Sequence, residues 1–295
     1  MSPSTRPFRS ALYIPGSNVR AIEKAKRLSA DVLILDLEDA VAPVAKSIAR
    51  SNVVVAARAA ADGEYGRRYF CIRTNALNTV WGALDLEAAA QAAPDAILLP
   101  KVESATDVSA ALESLAKTGL ADKTRLWVML ETPLGILHAE EVAAASSRLE
   151  TMVVGTTDLV KELHALQSPS RLAVMPSLAI SILAARAHGL SVLDGVHLDL
   201  ADAAGFLGVC RQGAELGFDG KTLIHPDQIG PANQVYEPSV EAVDFARCVI
   251  LAYAEAEVRG EGVTLLDGKL IEALHVEDAQ RIVGLAAAIE RLRSD

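Results

Sequence analysis

A cluster of carboxylates follows an apolar segment early in the chain. The stretch "LILDLEDAVAP", Leu33–Pro43, begins with large aliphatic residues and then places Asp36, Glu38 and Asp39 within four positions. Crowded carboxylates repel one another when they leave water, so such a cluster needs a cation or hydrogen-bond donors beside it. Taken alone, the cluster indicates metal binding.

Two later carboxylates point to a metal more directly. Glu131 of "ETP" and Asp158 of "TTDL" each follow a predicted strand, and the two strands are consecutive. Mg²⁺ is commonly bound by one or two carboxylates plus waters and substrate oxygens. Zn²⁺ would call for His or Cys ligands, and the chain has no HExxH or CxxC motif. We therefore predict a Mg²⁺ site at Glu131 and Asp158, with Asp36 and Glu38 hydrogen-bonded to the metal's waters.

Other polar residues at the ends of predicted strands could complete an active site. Arg73 offers a planar donor fork that suits a substrate carboxylate. Each residue also has a structural alternative: a strand-end acid can cap the next helix, Arg73 can join a surface ion pair, and Lys101 can be a solvated loop residue. The number of such residues favours a site. The remaining ones are Lys101, Glu103, Asp199, Asp202 and His225, of which His225 is more simply structural.

The elements that position these residues alternate between short β-rich runs and longer helical patterns. Eight strands in this alternation predict a (β/α)8 TIM barrel, an α/β fold whose active site lies at the carboxyl ends of its strands. A doubly wound open sheet is the rival interpretation. The predicted strands are 10–15, 31–37, 68–74, 95–100, 125–131, 151–155, 192–198 and 221–226.

The end of the chain has a different pattern. We predict a barrel domain over residues 1–237 and a helical and hairpin extension over 238–295. The extension should hold a long helix, a hairpin that turns at Asp267-Gly268, and a last helix. Its apolar hairpin needs a surface to cover, and a neighbouring subunit is one candidate.

Composition excludes several classes of protein. Of the 295 residues, 51% are hydrophobic and 22% are charged, which permits a large core. The net charge of −10 argues against nucleic-acid binding. No segment is apolar for the roughly 18 residues that a membrane span needs. Three cysteines without CxxC spacing suit a reduced, cytoplasmic setting. The GxGxxG, P-loop and GxSxG motifs are also missing, which leaves dinucleotide, P-loop and nucleophile-elbow chemistry unsupported.

Several motifs carry a family resemblance over nearly the whole chain. They include "DVLILDLEDAVAPVAKSIAR", "IRTN", "ILLPKVE", "ETPLGI", "VVGTTDLVKEL" and "LGFDGKTLIHPDQI". With these motifs the sequence resembles the citrate lyase β-subunit-like branch of the HpcH/HpaI aldolase family, which also includes malyl-CoA lyases. The resemblance implies a TIM barrel that forms a homo-oligomer, either trimer or hexamer. It also implies Mg²⁺, and a thioester of CoA or of an acyl-carrier protein as the substrate.

The resemblance also assigns roles to residues. It implies that Glu131 and Asp158 bind the metal and that Arg73 binds the keto-acid carboxylate or carbonyl. Asp36, Glu38 and Lys46 match residues that support the metal site, while Arg50 belongs to the same motif without a defined role. Backbone amides of Gly155, Thr156 and Thr157 are implied to assist in binding the substrate carboxylate.

One segment departs from the family pattern. Relatives carry a catalytic Asp in a C-terminal "MID-P" segment that a neighbouring subunit delivers, whereas this chain has "KLIEAL" with Glu272 at that position. The extra methylene moves the carboxylate by about 1 Å or more, a displacement that can cost ~10²-fold in rate. The departure indicates a different substrate, or a slow or missing step, if Glu272 is the base.

The expected activity is a carbon–carbon lyase reaction. A citryl-CoA- or malyl-CoA-like 3-hydroxyacyl thioester would be cleaved into an acetyl thioester and a keto acid resembling oxaloacetate or glyoxylate. Mg²⁺ and Arg73 would stabilise the charge that shifts during cleavage. The alternatives are a free-acid pyruvate or oxaloacetate aldolase, and a non-catalytic subunit that depends on a partner. Thioesterase and synthase activities also remain open.

Overall fold

The computed structural model describes residues 6–119 and 123–294, and it contains a closed barrel of parallel strands. The strands pair in chain order, and the last returns to the first, where Ser10 is in register with Lys221. This closure confirms the predicted (β/α)8 barrel and rules out the open sheet. The strands are β1 Ser10–Pro15, β2 Val32–Asp36, β3 Tyr69–Arg73, β4 Ala96–Leu99, β5 Arg125–Leu130, β6 Leu149–Val154, β7 Ser191–Asp194 and β8 Gly220–Leu223.

Helices connect the strands and cover the outside of the barrel. The strands form from nearly continuous apolar runs because both of their faces are buried, as in β2, where every residue is buried. Among the described residues, no helix is long and apolar enough to cross a membrane. The α-helices between β1 and residue 236 are α1 Val19–Ala25, α2 Lys46–Ala61, α3 Gly82–Ala92, α4 Ala105–Lys117, α5 Pro133–Leu137, α6 Ala139–Ala144, α7 Thr156–Glu162, α8 Met175–Ala187, α9 Ala203–Leu216 and α10 Ile229–Tyr236.

The two ends of the barrel interior differ in polarity. Towards the amino ends of the strands, the rings of Phe8, Tyr69 and Trp127 pack at centroid distances of 5.2, 5.1 and 5.6 Å. The indole Nε1 of Trp127 donates to Glu150 and satisfies the one polar atom of that side chain. The carboxyl ends instead carry Tyr13 and a set of charged side chains. The fold therefore concentrates interior charge where barrel enzymes carry their active sites.

Strand β7 is shorter than the sequence predicts, since it ends at Asp194 rather than at residue 198. Gly195 follows, and a Cβ there would lie 2.3 Å from Oγ1 of Thr156. The carbonyl of His197 accepts from Nε2 of Gln228 instead of from a neighbouring strand. Close packing against the start of α7 thus turns the chain away from the barrel wall.

The contacts divide the chain into two units, of which the first is Phe8–Tyr236 and the second contains the chain from Glu237 onward. The second unit holds α11 Val240–Val258, a hairpin of β9 Thr264–Leu266 and β10 Lys269–Ile271, and α12 Ala273–Arg293. The hairpin turns at Asp267 and Gly268 as predicted, and both residues have positive φ, of 50° and 75°. Turns of this kind match the twist of the two strands that they join. Residues 1–5, 120–122 and 295 of the predicted domains lie outside the described residues.

Candidate active site

Charged residues from five consecutive strand ends meet at the carboxyl end of the barrel. Asp36 ends β2, Arg73 ends β3, and Lys101 follows β4, while Glu131 follows β5 directly. Glu38 stands in the segment after β2, and Asp158 in the first turn of α7. Parallel strands bring these positions together because all of their carboxyl ends face the same way. The structure thus groups the acids, the arginine and the lysine that the sequence singles out.

Arg73 and Asp36 form a buried bidentate ion pair. Nε and Nη2 of Arg73 each lie 2.7 Å from a different oxygen of Asp36. The same carboxylate accepts from the backbone N–H groups of Glu38 and Ala40 at 2.9 and 3.0 Å. Burial by itself would raise the pKa of Asp36, but Arg73 and the two N–H groups hold that pKa below its usual value. Asp36 therefore fixes the orientation of the guanidinium group and the turn after β2.

The guanidinium group of Arg73 retains one nitrogen that Asp36 does not use. Nη1 lies 2.9 Å from Oε2 of Glu38, yet that oxygen has no hydrogen-bond partner of acceptable geometry among the described residues. The ring of Tyr13 lies under the group, with 4.7 Å between the ring centroid and Cζ. Arg73 is thus buried, oriented from two sides, and able to donate Nη1 to another oxygen.

Glu38 and Glu131 are buried carboxylates in which negative charge is disfavoured. Burial raises the pKa of Glu38 to about 8, with Arg73 opposing the shift and Glu131 adding to it. Burial likewise raises the pKa of Glu131 to about 7, with Lys101 opposing the shift and Asp158 adding to it. A cation beside the two groups would stabilise their charged forms.

Lys101 supplies positive charge to this group of acids. Its Nζ lies 2.6 Å from Oδ2 of Asp158, 3.7 Å from Oε1 of Glu131 and 3.8 Å from Oε1 of Glu38. Burial by itself would raise the pKa of Asp158, but the ammonium group of Lys101 holds it below its usual value. The acids oppose the effect of burial on Lys101 and raise the pKa of its side chain.

Gly155, directly after β6, leaves room for Glu131. A Cβ at position 155 would lie 2.5 Å from Cβ and 2.6 Å from Oε2 of Glu131, closer than real side chains approach. The backbone N–H of Lys101 also donates to Oε1 of Glu131 at 2.9 Å. The absence of a side chain at 155 and this donor together hold the carboxylate at the end of the barrel.

This donor set fits a hard divalent cation. The ammonium group of Lys101 already lies where three carboxylates converge, and all of the donors are oxygens, as Mg²⁺ and Ca²⁺ prefer. Among the described residues, no three His, Cys, Asp or Glu side chains have the geometry to hold a metal alone. A cation bound by two carboxylates, with waters and substrate oxygens as its other ligands, agrees both with the oxygen donors and with the lack of a third protein ligand among the described residues.

Lys46 holds the segment that carries Glu38. Its Nζ donates to the carbonyls of Leu37 and Glu38 and to Oδ1 of Asn75, at 2.7, 2.8 and 2.8 Å. Burial lowers the pKa of Lys46, while the nearby Asp36 and Asp85 act in the opposite direction. Arg50, of the same motif, forms an ion pair with Asp85 at 2.9 Å.

The remaining residues that the sequence singled out lie on several other elements. Gly155 precedes α7, and Thr156 and Thr157 begin it; among the described residues, no side chain caps this helix start. Glu272 lies in the second unit, directly before α12, and its backbone N–H donates to Nδ1 of His275. Asp199, Asp202 and His225 accept hydrogen bonds from nearby backbone N–H groups, which is the structural role considered above.

Three residues of the site escaped the sequence reasoning. Tyr13 lies under Arg73, while Asn75 and Asp85 connect Lys46 to Arg50. Asn75 had a usable signal because it stands two positions after Arg73 in "IRTN". Tyr13 and Asp85 had none, since a strand tyrosine and a helical aspartate are common on any barrel.

The chain is similar to known proteins over nearly its whole length. Residues 9–226 match the family described as HpcH/HpaI aldolase/citrate lyase. The chain is 47% identical over 294 residues to a (3S)-malyl-CoA thioesterase of Cereibacter sphaeroides, with 100% of both chains covered. It is 35% identical over 313 residues to an L-malyl-CoA/beta-methylmalyl-CoA lyase of the same species, covering 98% of this chain and 97% of the lyase.

Among solved structures, the protein CitE of Mycobacterium tuberculosis in complex with magnesium, acetoacetate and coenzyme A is similar to this chain. The TM-score is 0.75 at 31% sequence identity, and the alignment covers 96% of this chain and 99% of CitE.

Proposed function

The chain belongs to the HpcH/HpaI aldolase/citrate lyase family, and we propose that it is a magnesium-dependent enzyme that hydrolyses a malyl-CoA-like 3-hydroxyacyl thioester. The observation that carries the proposal is the full-length identity of 47% to a (3S)-malyl-CoA thioesterase, in a chain whose acids converge on one point. A lyase or thioesterase activity is supported by the relatives, while the choice of hydrolysis is our own.

Glu131 and Asp158 are the proposed magnesium ligands. They are the two acids that Lys101 approaches most closely, and magnesium is present in the similar CitE structure. When bound, the ion acts as a Lewis acid on the oxygens of the substrate. Glu38 is the proposed acceptor for a water beside the ligands, and its Oε2, which has no hydrogen-bond partner among the described residues, supports this role.

Arg73 is the proposed donor to the oxygen that gains charge during the reaction. Attack on a thioester carbonyl moves negative charge onto the carbonyl oxygen. Cleavage of the bond between the thioester α-carbon and the hydroxyl-bearing carbon does the same, because it leaves a thioester enolate. Nη1 of Arg73 can donate to that oxygen, since Asp36 holds the rest of the group in place. A donor fixed before the reaction needs no reorganisation as the charge develops.

The first turn of α7 and Glu272 complete the proposal. Backbone N–H groups at Thr156 and Thr157 are the proposed donors to the substrate carboxylate, whereas the N–H of Gly155, also predicted as a donor, already donates to the carbonyl of Leu130 at 3.0 Å. Hydrolysis forms a C–O bond at the thioester carbonyl carbon and breaks its C–S bond, while a base takes a proton from the attacking water. Glu272 is the candidate for this base, and the proton then leaves with the CoA sulfur.

Lyase activity is the second candidate. It is favoured by the 35% identity to a malyl-CoA lyase over nearly the whole chain, and by an arginine suited to stabilising a thioester enolate. In that reaction a base takes the hydroxyl proton, the bond between the hydroxyl-bearing carbon and the thioester α-carbon breaks, and the resulting thioester enolate takes up a proton. The products are a keto acid and an acetyl thioester.

Product analysis separates the two reactions. The purified chain would be incubated with Mg²⁺ and malyl-CoA or citryl-CoA, and CoA thiol, acetyl-CoA and keto acid would be measured separately. We expect CoA thiol without acetyl-CoA, and loss of turnover with EDTA. Acetyl-CoA with a keto acid would favour the lyase. Turnover restricted to free hydroxy-keto acids, or no turnover at all, would contradict the proposal and favour the aldolase or the partner-dependent subunit.

A matched pair of variants tests the metal assignment. Glu131→Gln keeps the shape of the side chain but removes its charge, so Mg²⁺ binding measured by calorimetry should be lost. Glu87→Gln makes the same change on an exposed position of α3 and should bind Mg²⁺ as the wild type does. Unchanged binding in Glu131→Gln would remove Glu131 from the site.

A further inference from the structure

The ammonium group of Lys101 lies at the point where the acids of the proposed site converge. It lies within 4 Å of carboxylate oxygens of Asp158, Glu131 and Glu38, at 2.6, 3.7 and 3.8 Å. A bound divalent cation would be expected at the same point, because that is where the negative charges converge. Two cations cannot share one point, since their repulsion would cancel the attraction that each gains from the acids.

The backbone of Lys101 is fixed, although its side chain is not. Lys101 has a φ of 51°, an unusual value for a lysine, and its backbone N–H donates to Oε1 of Glu131 at 2.9 Å. The side chain is 41% exposed, so the ammonium group has a direct route into solvent. Movement of this group therefore requires only side-chain rotation, with the loop and Glu131 left in place.

The acids give the lysine a reason to occupy this point. Glu131 and Glu38 are buried, and burial without a nearby cation disfavours their charged forms. A positive charge supplied by the chain itself keeps three neighbouring carboxylates together. A lysine suits such a temporary role because its flexible stem carries a compact point charge.

We propose that Lys101 is a built-in counter-ion that occupies the cation-binding point of the active site and leaves it when a divalent cation binds. The proposal rests on the magnesium site of the proposed function, and it adds an exchange of one cation for another. The ammonium group thereby competes with the metal and lowers its apparent affinity.

Calorimetric titration with magnesium chloride tests the exchange in three variants. Lys101→Met keeps the length of the side chain without its charge, and we expect it to bind Mg²⁺ about tenfold more tightly than the wild type, a change of about 1.4 kcal/mol. Lys101→Arg keeps the charge and should bind no more tightly than the wild type. Lys161→Met is the matched control, since Lys161 lies in α7 near Asp158 but is 76% exposed and pairs with Glu162 at 3.6 Å. Its affinity should stay within about twofold of the wild type.

Thermal unfolding provides a second measurement on the same proteins. Without Mg²⁺, Lys101→Met should melt at a lower temperature than the wild type because three acids lose their counter-ion. Its increase in Tm on addition of Mg²⁺ should exceed that of the wild type. A variant that folds only when Mg²⁺ is present would support the exchange as well.

The outcomes separate this inference from the proposed function. If the wild type binds no Mg²⁺, both proposals fall. If the wild type binds Mg²⁺ and Lys101→Met binds it equally or more weakly, the exchange alone is wrong. A crystal structure with Mg²⁺ in which Nζ of Lys101 still lies within 4 Å of all three carboxylates would also overturn it.

Discussion

At the scale of single residues, the site depends on charges that are buried in pairs. Arg73 is 7% exposed and Asp36 is fully buried, and each satisfies the other's charge. Removal of one partner leaves the other charge uncompensated in the interior, which costs far more than the pair contributes. The pair therefore serves to hold the guanidinium group in place more than to stabilise the fold.

Arg73→Met should lower the free energy of unfolding by about 3–5 kcal/mol, because the carboxylate of Asp36 loses its bidentate partner. Urea denaturation followed by circular dichroism measures this change. A variant as stable as the wild type would show that Asp36 finds another partner or becomes protonated at little cost.

The pair of Arg9 and Asp31 supplies the control for function. It is also buried, with 2.8 Å between Nη2 and Oδ1, but Arg9 precedes β1 and Asp31 precedes β2, at the opposite end of the barrel. Arg73→Lys should reduce turnover by about 10²–10³-fold, as loss of a donor to a developing oxyanion does. Arg9→Lys should reduce stability but leave turnover of the folded protein near the wild-type value. Equal effects of the two changes on turnover would argue that Arg73 is only structural.

The three cysteines differ in burial, which predicts their reactivity. Burial raises the pKa of the Cys71 thiol, and it raises the pKa of Cys210 to about 11, so both stay protonated and inaccessible at pH 8. Cys248 is exposed in α11. A thiol reagent at pH 8 should therefore modify one cysteine rapidly in the native protein and three after denaturation. Cys248→Ser should remove the rapid reaction, and modification of more than one native thiol would contradict the predicted burial.

Residue types at the strand ends were predictable, whereas their partners were not. The family motifs and the ends of the apolar runs were sufficient to single out Arg73, Glu131 and Asp158 as candidates. The bidentate bond between Arg73 and Asp36 depends on the register of β2 and β3, in which the two residues are direct neighbours. That register is a property of the closed barrel, and it is not encoded within either motif.

At the scale of elements, the segment between β2 and α2 is held by one buried network. Nζ of Lys46 donates to the carbonyls of Leu37 and Glu38, and Asn75 bonds to Lys46, Leu37 and Asp85. Glu38 therefore faces the site because a lysine, an asparagine and an aspartate fix the backbone around it.

Asn75→Ala should lower the free energy of unfolding by about 1–3 kcal/mol, because it removes hydrogen-bond partners from buried groups of Lys46 and Leu37. It should also weaken Mg²⁺ binding, since the segment that carries Glu38 is released. Asn233→Ala is a matched control: Asn233 accepts from Ser10 and donates to Ser29, at the other end of β1 from the site. That variant should lose stability without a change in Mg²⁺ affinity. If the two variants bound Mg²⁺ with equal affinity, the hydrogen bonds of Asn75 would have no part in metal binding.

Elements with local signals were predicted well, and an element shaped by packing was not. The hairpin followed from Asp267-Gly268, since a tight turn with two positive φ values favours these residues. The end of β7 could not be found in the same way, because "GVHL" has the apolar character of a strand. Its course is decided by the contact between Gly195 and Thr156, which lie 39 positions apart.

At the scale of the whole molecule, the barrel unit and the second unit carry different parts of the proposed site. The proposed metal ligands and Arg73 belong to the barrel, while Glu272 belongs to the unit that begins at Glu237. The second unit also exposes several large apolar side chains, namely Val263, Leu265, Leu270 and Leu274. Apolar groups gathered around one hairpin are typical of a surface that another chain covers. This favours the proposal that the second unit packs on a neighbouring subunit of a homo-oligomer.

Mixing of two inactive variants tests whether Glu272 acts in a neighbouring subunit. Glu131→Gln lacks a proposed metal ligand and Glu272→Ala lacks the candidate base, so each homo-oligomer should be inactive. Suppose that each site combines Glu131 of one chain with Glu272 of the next. In random mixed oligomers from a 1:1 coexpression, about half of the sites then retain Glu131 and, independently, about half retain Glu272. About a quarter of the sites retain both residues, so the mixture should regain about a quarter of wild-type activity. A mixture of Glu131→Gln with Asp158→Asn is the control and should stay inactive, since both residues belong to the same barrel. No recovery in the first mixture would place Glu272 in its own subunit's site, whereas full activity of Glu272→Ala alone would remove that residue from the mechanism.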